Sequence, residues 1–388
     1  MRTTIEQLRP VIFSLYEHLH QHPEISWQEV QTTAFLADFL GQYDCRLTTF
    51  EDVTGVVAEW GSVAPDVFTV GVRADMDALW QEVDGLFQAN HSCGHDAHMT
   101  MVLGVLLVLH ERKIRLPGRL KLIFQPAEES GDGALAMVRK QVVDDVDFLY
   151  GVHLRPIQEI TRGRAASAIL HGAAATIYAK VQGEDIHGAR PHLGTNAIEV
   201  AATIVTELKS IHLDPLIPYS VKMTQLNSGG KSTNIIPGSA YFHLDLRAQS
   251  NQSMDALLHK TEHVLQQVAQ LYDVTLHYEI TERVYAAEVN EEARHIMGEA
   301  IVEVLGQSQL EPPILTPGAE DFHYYTKERP HLKATMLGLG CDLTPGLHHP
   351  RMHFHKEALL DGIEILTRAV LLTFDRHATK HHTGPKED

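Results

Sequence analysis

Apolar positions in the first part of the chain fall into short runs separated by segments of helical period. A helix is expected from the N-terminus to about His20, and VVAEW at 56–60, VFTVGVRA at 67–74, LKLIFQ at 120–125 and FLYGVHL at 148–154 read as strands. Nearly continuous Val, Ile, Leu and Phe runs between helical segments predict a sheet covered on both faces, an α/β fold. The apolar run at 99–109 is too short to span a bilayer and is expected as a buried helix.

From about Ala173 the pattern changes to strict alternation. AATIYAKVQ, SVKMTQLN, SAYFHLDLR and VTLHYEI read as strands, with helices over 196–210 and 253–271. The order βαββαβ is that of a ferredoxin-like unit. It is expected as an inserted domain over 171–283, with 1–170 and 284–388 forming one discontinuous domain around it. EEARHIMGEAIVEVLG and KATMLGLG resume helix and strand, and the helix KEALLDGIEILTRAVLLTF should pack back on the first sheet. The polar tail at 377–388 is expected to fray.

Composition narrows the class. With 388 residues, 44% hydrophobic and 21% charged, the chain reads as globular, and a formal charge of -18 argues against a nucleic-acid partner. Three widely spaced cysteines, Cys45, Cys93 and Cys341, cannot make a disulfide framework and are expected as reduced thiols. MRTTIEQLRPVIFSLY lacks the order of a signal peptide, so a cytoplasmic protein without a membrane partner is expected.

Candidate chemistry gathers at strand ends. Cys93 and His95 lie two apart in a Gly-containing turn before the apolar helix, and thiolate with imidazole suits zinc and similar metals. Taken alone, a buried Cys beside a capping His is the simpler reading. QPAEESGDG, however, puts Glu128 and Glu129 just past a strand, where open α/β sheets bind ligands, and adjacent carboxylates on extended chain point apart. One of them can bind metal while the other faces water or substrate. His153 ends another strand, and His348 and His349 sit in a Pro-bracketed loop. Converging, these groups suffice for two metal ions sharing a bridging group.

The motifs RADMDAL at 73–79, CGHDAHM at 93–99, FQPAEE at 124–129, GVH at 151–153, HGARPH at 187–192, NIIPG at 234–238, GAEDF at 318–322 and LHHP at 347–350 run in order through nearly the whole chain. Together they resemble the metal-dependent amidohydrolases that include hippurate hydrolase, N-acyl-amino-acid amidohydrolases and the plant indole-acetyl-amino-acid hydrolases. The resemblance implies two divalent ions (zinc, manganese or cobalt) held by Cys93, His95, Glu129, His153 and His348, with Cys93 bridging and His348 selected over His349. It further implies Glu128 as general base, Asp77 as the carboxylate behind a ligand, His187 as a group reaching the partner's site in a homodimer, and Asn234 and Arg247 as substrate contacts. The expected reaction is hydrolysis of an N-acyl amino acid or similar small amide conjugate. An aminopeptidase or dipeptidase on the same scaffold is the rival, and a non-catalytic metal-binding protein would have no need of Glu128. Three departures from the pattern stand out: no Lys-Gly run precedes His187, LDLR replaces Gly-Thr-any-Arg, and ALW replaces Ala-Leu-Pro. The first two bear on lid geometry and specificity rather than on the metal centre.

Overall fold

The computed structural model describes residues 1–377, so the tail expected beyond His377 lies outside the described residues. The chain divides into two compact units. One comprises Met1–Leu170, Glu288–Leu315 and the chain from Asp321 onward, and the other His171–Ala287 with Thr316–Glu320. The protein is α/β and two-domain, with a βαββαβ unit inserted into a larger one.

The larger unit is built on an eight-stranded sheet in the order Arg46–Thr49, Val56–Gly61, Arg119–Gln125, Thr69–Asp75, Phe148–Pro156, Lys333–Leu343, Ala165–Ala166, Leu310–Glu311. Strand alternation divides its side chains between two cores. Leu122, Phe148 and Tyr150 face a core shared with the helices Arg2–Gln21, His95–Glu111 and Ala358–His377, while Ile123 and Leu149 face a second core with Met137, Phe322 and Tyr325. The inner strands are therefore buried on both faces, which is why they read as unbroken apolar runs.

Arg119–Gln125, Thr69–Asp75, Phe148–Pro156 and Lys333–Leu343 all run parallel. Their C-terminal ends consequently open at the same edge of the sheet. The helix His95–Glu111 lies close against Ala358–His377 because glycines meet bulk across the contact. A Cβ on Gly104 would stand 2.4 Å from Ile363, and one on Gly362 would stand 2.2 Å from the Met101 sulfur. That contact fixes the helix whose first turn carries His95. Among the described residues no helix is long and apolar enough to cross a membrane.

The apolar pattern passes over the helix Val30–Leu40, the edge strand Arg46–Thr49 and a hairpin of Leu79–Val83 with Leu86–Asn90. None of these three strands holds a buried residue, so burial imposes no period on them. The hairpin still carried a turn signal, because Asp84 and Gly85 both adopt positive φ, 50° and 88°, as a two-residue hairpin turn requires.

The inserted unit holds a four-stranded antiparallel sheet in the order Tyr219–Ser228, Ala240–Ala248, Ala173–Gln182, Thr275–Val284. Ile177, Val181, Phe242, Leu244 and Leu246 pack with residues of the helices Ala197–Glu207 and Asn251–Tyr272. Asn196 and Ser250 cap those helices by accepting from the Ile198 and Ser253 amides.

Candidate metal centre

The donors come from segments at or beyond the ends of sheet strands: Glu129 follows Arg119–Gln125, His153 lies in the last half of Phe148–Pro156, His348 follows Lys333–Leu343, and Cys93 and His95 follow the antiparallel hairpin strand Leu86–Asn90. Cys93 lies in the turn before the helix His95–Glu111, and Gly94 between them takes φ 90° with its α-carbon pressed toward Leu154, where a Cβ would come within 3.1 Å. Glu128 and Glu129 follow Arg119–Gln125 after a turn in which Ala127 takes φ 55°. The fully buried Glu29 pins that turn by accepting the Ala127 amide at 2.8 Å. His153 lies on Phe148–Pro156. His348, at φ 62°, donates its amide to the Ser92 carbonyl at 2.8 Å, and its carbonyl accepts from Gln81 Nε2 at 3.1 Å.

These segments bring six of the expected residues together. Cys93 Sγ stands 3.6 Å from His153 Nε2. His95 Nε2 stands 3.8 Å from both Glu128 Oε2 and Glu129 Oε1, and His348 Nε2 stands 3.4 Å from Glu129 Oε1. The donor atoms of Cys93, His95 and His153 lie within 4.8 Å of one another, as do those of Cys93, Glu129 and His348, so Cys93 belongs to both sets. Asp77 stands behind them, with Oδ1 3.1 Å from His95 Nδ1 and Oδ2 accepting from Ser26 Oγ and the Glu129 amide. His153 Nδ1, 2.7 Å from the Leu154 carbonyl, must carry the proton because a carbonyl only accepts, which leaves Nε2 with a lone pair. His95 Nε2 and Glu129 Oε1 are buried without a hydrogen-bond partner, an arrangement that costs stability unless something else satisfies them. Sulfur, imidazole and carboxylate donors at this spacing fit divalent transition metals.

The electrostatics agree. Burial and the Glu129 carboxylate push the Cys93 thiol up, and burial with His98 and Arg155 holds His153 well below its usual range. His348 is raised to about 10 by the facing Cys93 and Glu129 side chains. Burial opposes the charge on His95, yet Asp75, Cys93 and Asp77 outweigh it and hold that imidazole well above its ordinary value. The chain alone answers this concentration of anionic groups with protons, a role that a divalent cation takes over on binding.

Residues without an assigned role in the sequence surround the donors. Arg73, fully buried, donates to Asp75 at 2.6 Å, to Gln125 at 2.8 Å and to Asp321 at 2.9 Å. Removing one partner from such a buried set costs on the order of 3–5 kcal/mol. Asp75 closes the strand Thr69–Asp75 with Asp77 two residues beyond it, and His98 lies one helical turn after His95, so both spacings were visible within the motifs. Nearby, burial and Arg73 push His323 down to about 3. The unfolded chain binds a proton near pH 6.5 that the fold refuses, so this contribution to stability is fully present above that pH and is lost progressively as pH falls toward 3. The urea midpoint should therefore drop between pH 7 and 4 by an amount worth a few kcal/mol. A His323→Gln chain showing an equally steep drop would refute that source.

His187, Asn234 and Arg247 belong to the inserted unit. Ile186–His187 pairs with Ile235–Ile236, which sets His187 beside Asn234, and the Gly188 amide donates to the Asn234 carbonyl at 2.8 Å. Both side chains are exposed. His187 Nδ1 accepts the Ala189 amide at 3.0 Å, so its proton sits on Nε2. Arg247 is held by Asp245, two residues away on the same strand face, at 2.9 Å.

The sequence model described as Peptidase family M20/M25/M40 matches residues 71–372. The chain is 32% identical over 387 residues to a probable hydrolase of Synechocystis sp., covering 95% of this chain and 97% of that protein. It is 26% identical to the N-acetyl-L-cysteine deacetylase of Bacillus subtilis, over 92% of this chain and 86% of that one. A Bacillus subtilis protein described as a dinuclear metal-binding peptidase of the M20 family has the same fold, with a TM-score of 0.81 at 23% identity over 95% of this chain and 99% of that one.

Proposed function

The chain belongs to peptidase family M20/M25/M40 and is a hydrolase of that family, and from that premise we propose that it cleaves the amide bond of N-acyl amino acids or related small conjugates. The observation that carries the reading is the sharing of Cys93 between two donor sets with the carboxylate of Glu128 beside them. The name of the Bacillus deacetylase supports the substrate class.

In this reading Cys93, His95, Glu129, His153 and His348 would hold two divalent ions, zinc, manganese or cobalt. Bound there, such ions polarise the amide carbonyl and acidify the attacking water. Glu128 takes the proton from that water and passes it to the departing amine nitrogen. Asp77 keeps the Nδ1 proton of His95 in place, which holds the Nε2 lone pair toward the cluster. His187 donates from Nε2 to the carbonyl oxygen as it gains charge, worth about 3 kcal/mol for a donor of this kind. Asn234 contacts the substrate, and Arg247 leaves Asp245 to pair with the substrate carboxylate. The active form is a homodimer in which His187 of the partner subunit serves each site, and the free thiols Cys45, Cys93 and Cys341 suit a cytoplasmic setting.

Asp245 favours the second reading, an aminopeptidase or dipeptidase, since its carboxylate beside Arg247 can receive a free amino group. A panel decides: chain loaded with each metal is assayed on N-acetyl, N-benzoyl and indole-acetyl amino acids against dipeptides with a free amine. The N-acyl compounds should lead by at least about tenfold in kcat/KM, a difference of about 1.4 kcal/mol. In the same assay Arg247→Ala should lose about 10–100-fold on substrates with a free carboxylate, as for a charged hydrogen bond, and nothing on the matching amides. A lead for dipeptides would overturn the N-acyl reading.

A further inference from the structure

Distances alone would admit a donor set that includes His98, because Asp75, His95 and His98 bring donor atoms within 4.8 Å of one another. The hydrogen bonds rule it out. Leu154 donates its amide to His98 Nε2 at 3.0 Å, so that nitrogen carries no proton and its lone pair is occupied. Nδ1 must then hold the proton, and it donates to Asp75 Oδ1 at 2.7 Å while Arg73 donates to Asp75 Oδ2 at 2.6 Å. Both nitrogens of His98 are committed, and its side chain is fully buried.

The sheet explains why an imidazole is needed there. Phe148–Pro156 pairs with Thr69–Asp75 only as far as Gly151 opposite Arg73. Past that point the two strands part, which opens the crevice where the donors stand but leaves the Leu154 amide without a ladder partner from that strand. His98 supplies it. The other end of the same residue, the Leu154 carbonyl, accepts from His153 Nδ1 at 2.7 Å, and the His98 and His153 rings pack with centroids 4.6 Å apart. An unbroken path therefore runs from Arg73 through Asp75, His98 and Leu154 to His153.

We infer that His98 is a positioning residue: by holding the Leu154 amide it fixes the residue whose carbonyl orients His153, and so sets the affinity of the ion that His153 helps to hold. The inference rests on the two-ion reading above. It assigns His98 an effect on one ion of the pair, since Glu129 and His348 lie off this path.

The test uses the whole chain, stripped of metal and titrated with cobalt(II) by equilibrium dialysis and metal analysis. Gln places its side-chain oxygen near the position of imidazole Nε2 and can accept the Leu154 amide, whereas Asn reaches only the position of Nδ1. The parent should bind two ions. His98→Ala and His98→Asn should weaken one ion by about 10–100-fold, as outer partners of metal ligands do, while the other changes little. His98→Gln should bind both nearly as the parent does. If His98→Ala fails to fold, Gln and Asn still decide, because equal affinities in those two would overturn the inference. Two ions bound with parental affinity by a folded Ala variant would overturn it as well, leaving the two-ion reading intact. A parent that binds a single ion would instead overturn that reading, and the inference with it.

Discussion

Glu128→Gln should cut turnover by about 10²–10⁴-fold, the range for a lost general base, while both ions stay bound. Gln keeps the shape and hydrogen-bonding length of Glu but cannot accept the proton of the attacking water. The metal content should survive because Glu128 is absent from both donor sets that share Cys93. Steady-state kinetics beside metal analysis read the two effects separately. Activity within a few fold of the parent would remove Glu128 from the role of base. The same variant reports on the homodimer: mixed with a His187→Ala chain, two inactive parents should regain one working site per mixed dimer. Recovery no greater than either parent, in a dimer proven to be mixed, would exclude sharing across subunits.

Stripping the ions with a chelator should abolish hydrolysis altogether, and stoichiometric zinc, manganese or cobalt should restore it. The five donors then differ in a graded way. Cys93 lies in both sets, His95 and His153 in one, and Glu129 and His348 in the other. Cys93→Ser should therefore weaken both ions, by more than the 10–100-fold typical of an outer partner, because a hydroxyl does not replace a thiolate. His348→Ala should weaken one. Full activity in chain shown to hold no transition metal would sink the scheme, and Cys93→Ser with unchanged metal content would sink the bridge.

The sequence carried more of this architecture where burial imposes a period. Alternation along Ala173–Gln182 and Ala240–Ala248 made the inserted unit readable, since one face of each strand is core and the other is not. The outer sheet was readable through its apolar runs. Apart from His153, which lies within a strand, the donors were visible because each sits near a residue that breaks regular structure: Gly94, the Pro126–Ala127 turn, and Pro350. What the pattern could not carry was the layer behind them. Glu29 matters because it meets an amide nearly a hundred residues away, and His98 matters because two strands part beside Leu154. Neither partner is implied by local spacing; only the folded backbone creates the unpaired group that each one satisfies. Arg247 marks the opposite limit, since its pairing with Asp245 follows directly from two-residue spacing on a strand, yet that pairing is what its expected role must undo.

The outer sheet closes by laying Lys333–Leu343 beside Phe148–Pro156, two strands separated by the entire inserted unit. During synthesis, His171–Ala287 leaves the ribosome with nearly all its own partners and can fold as a unit, while the segments before it wait for a strand not yet made. Cys93, His95, Glu129 and His153 emerge early, but His348 follows that late strand. The nascent chain thus exposes only part of a donor set for most of its elongation, and the complete set exists only once the outer sheet has closed. On the two-ion reading, the full pair of ions would therefore be held only after the outer sheet has closed, timed by chain topology rather than by the order of the donors.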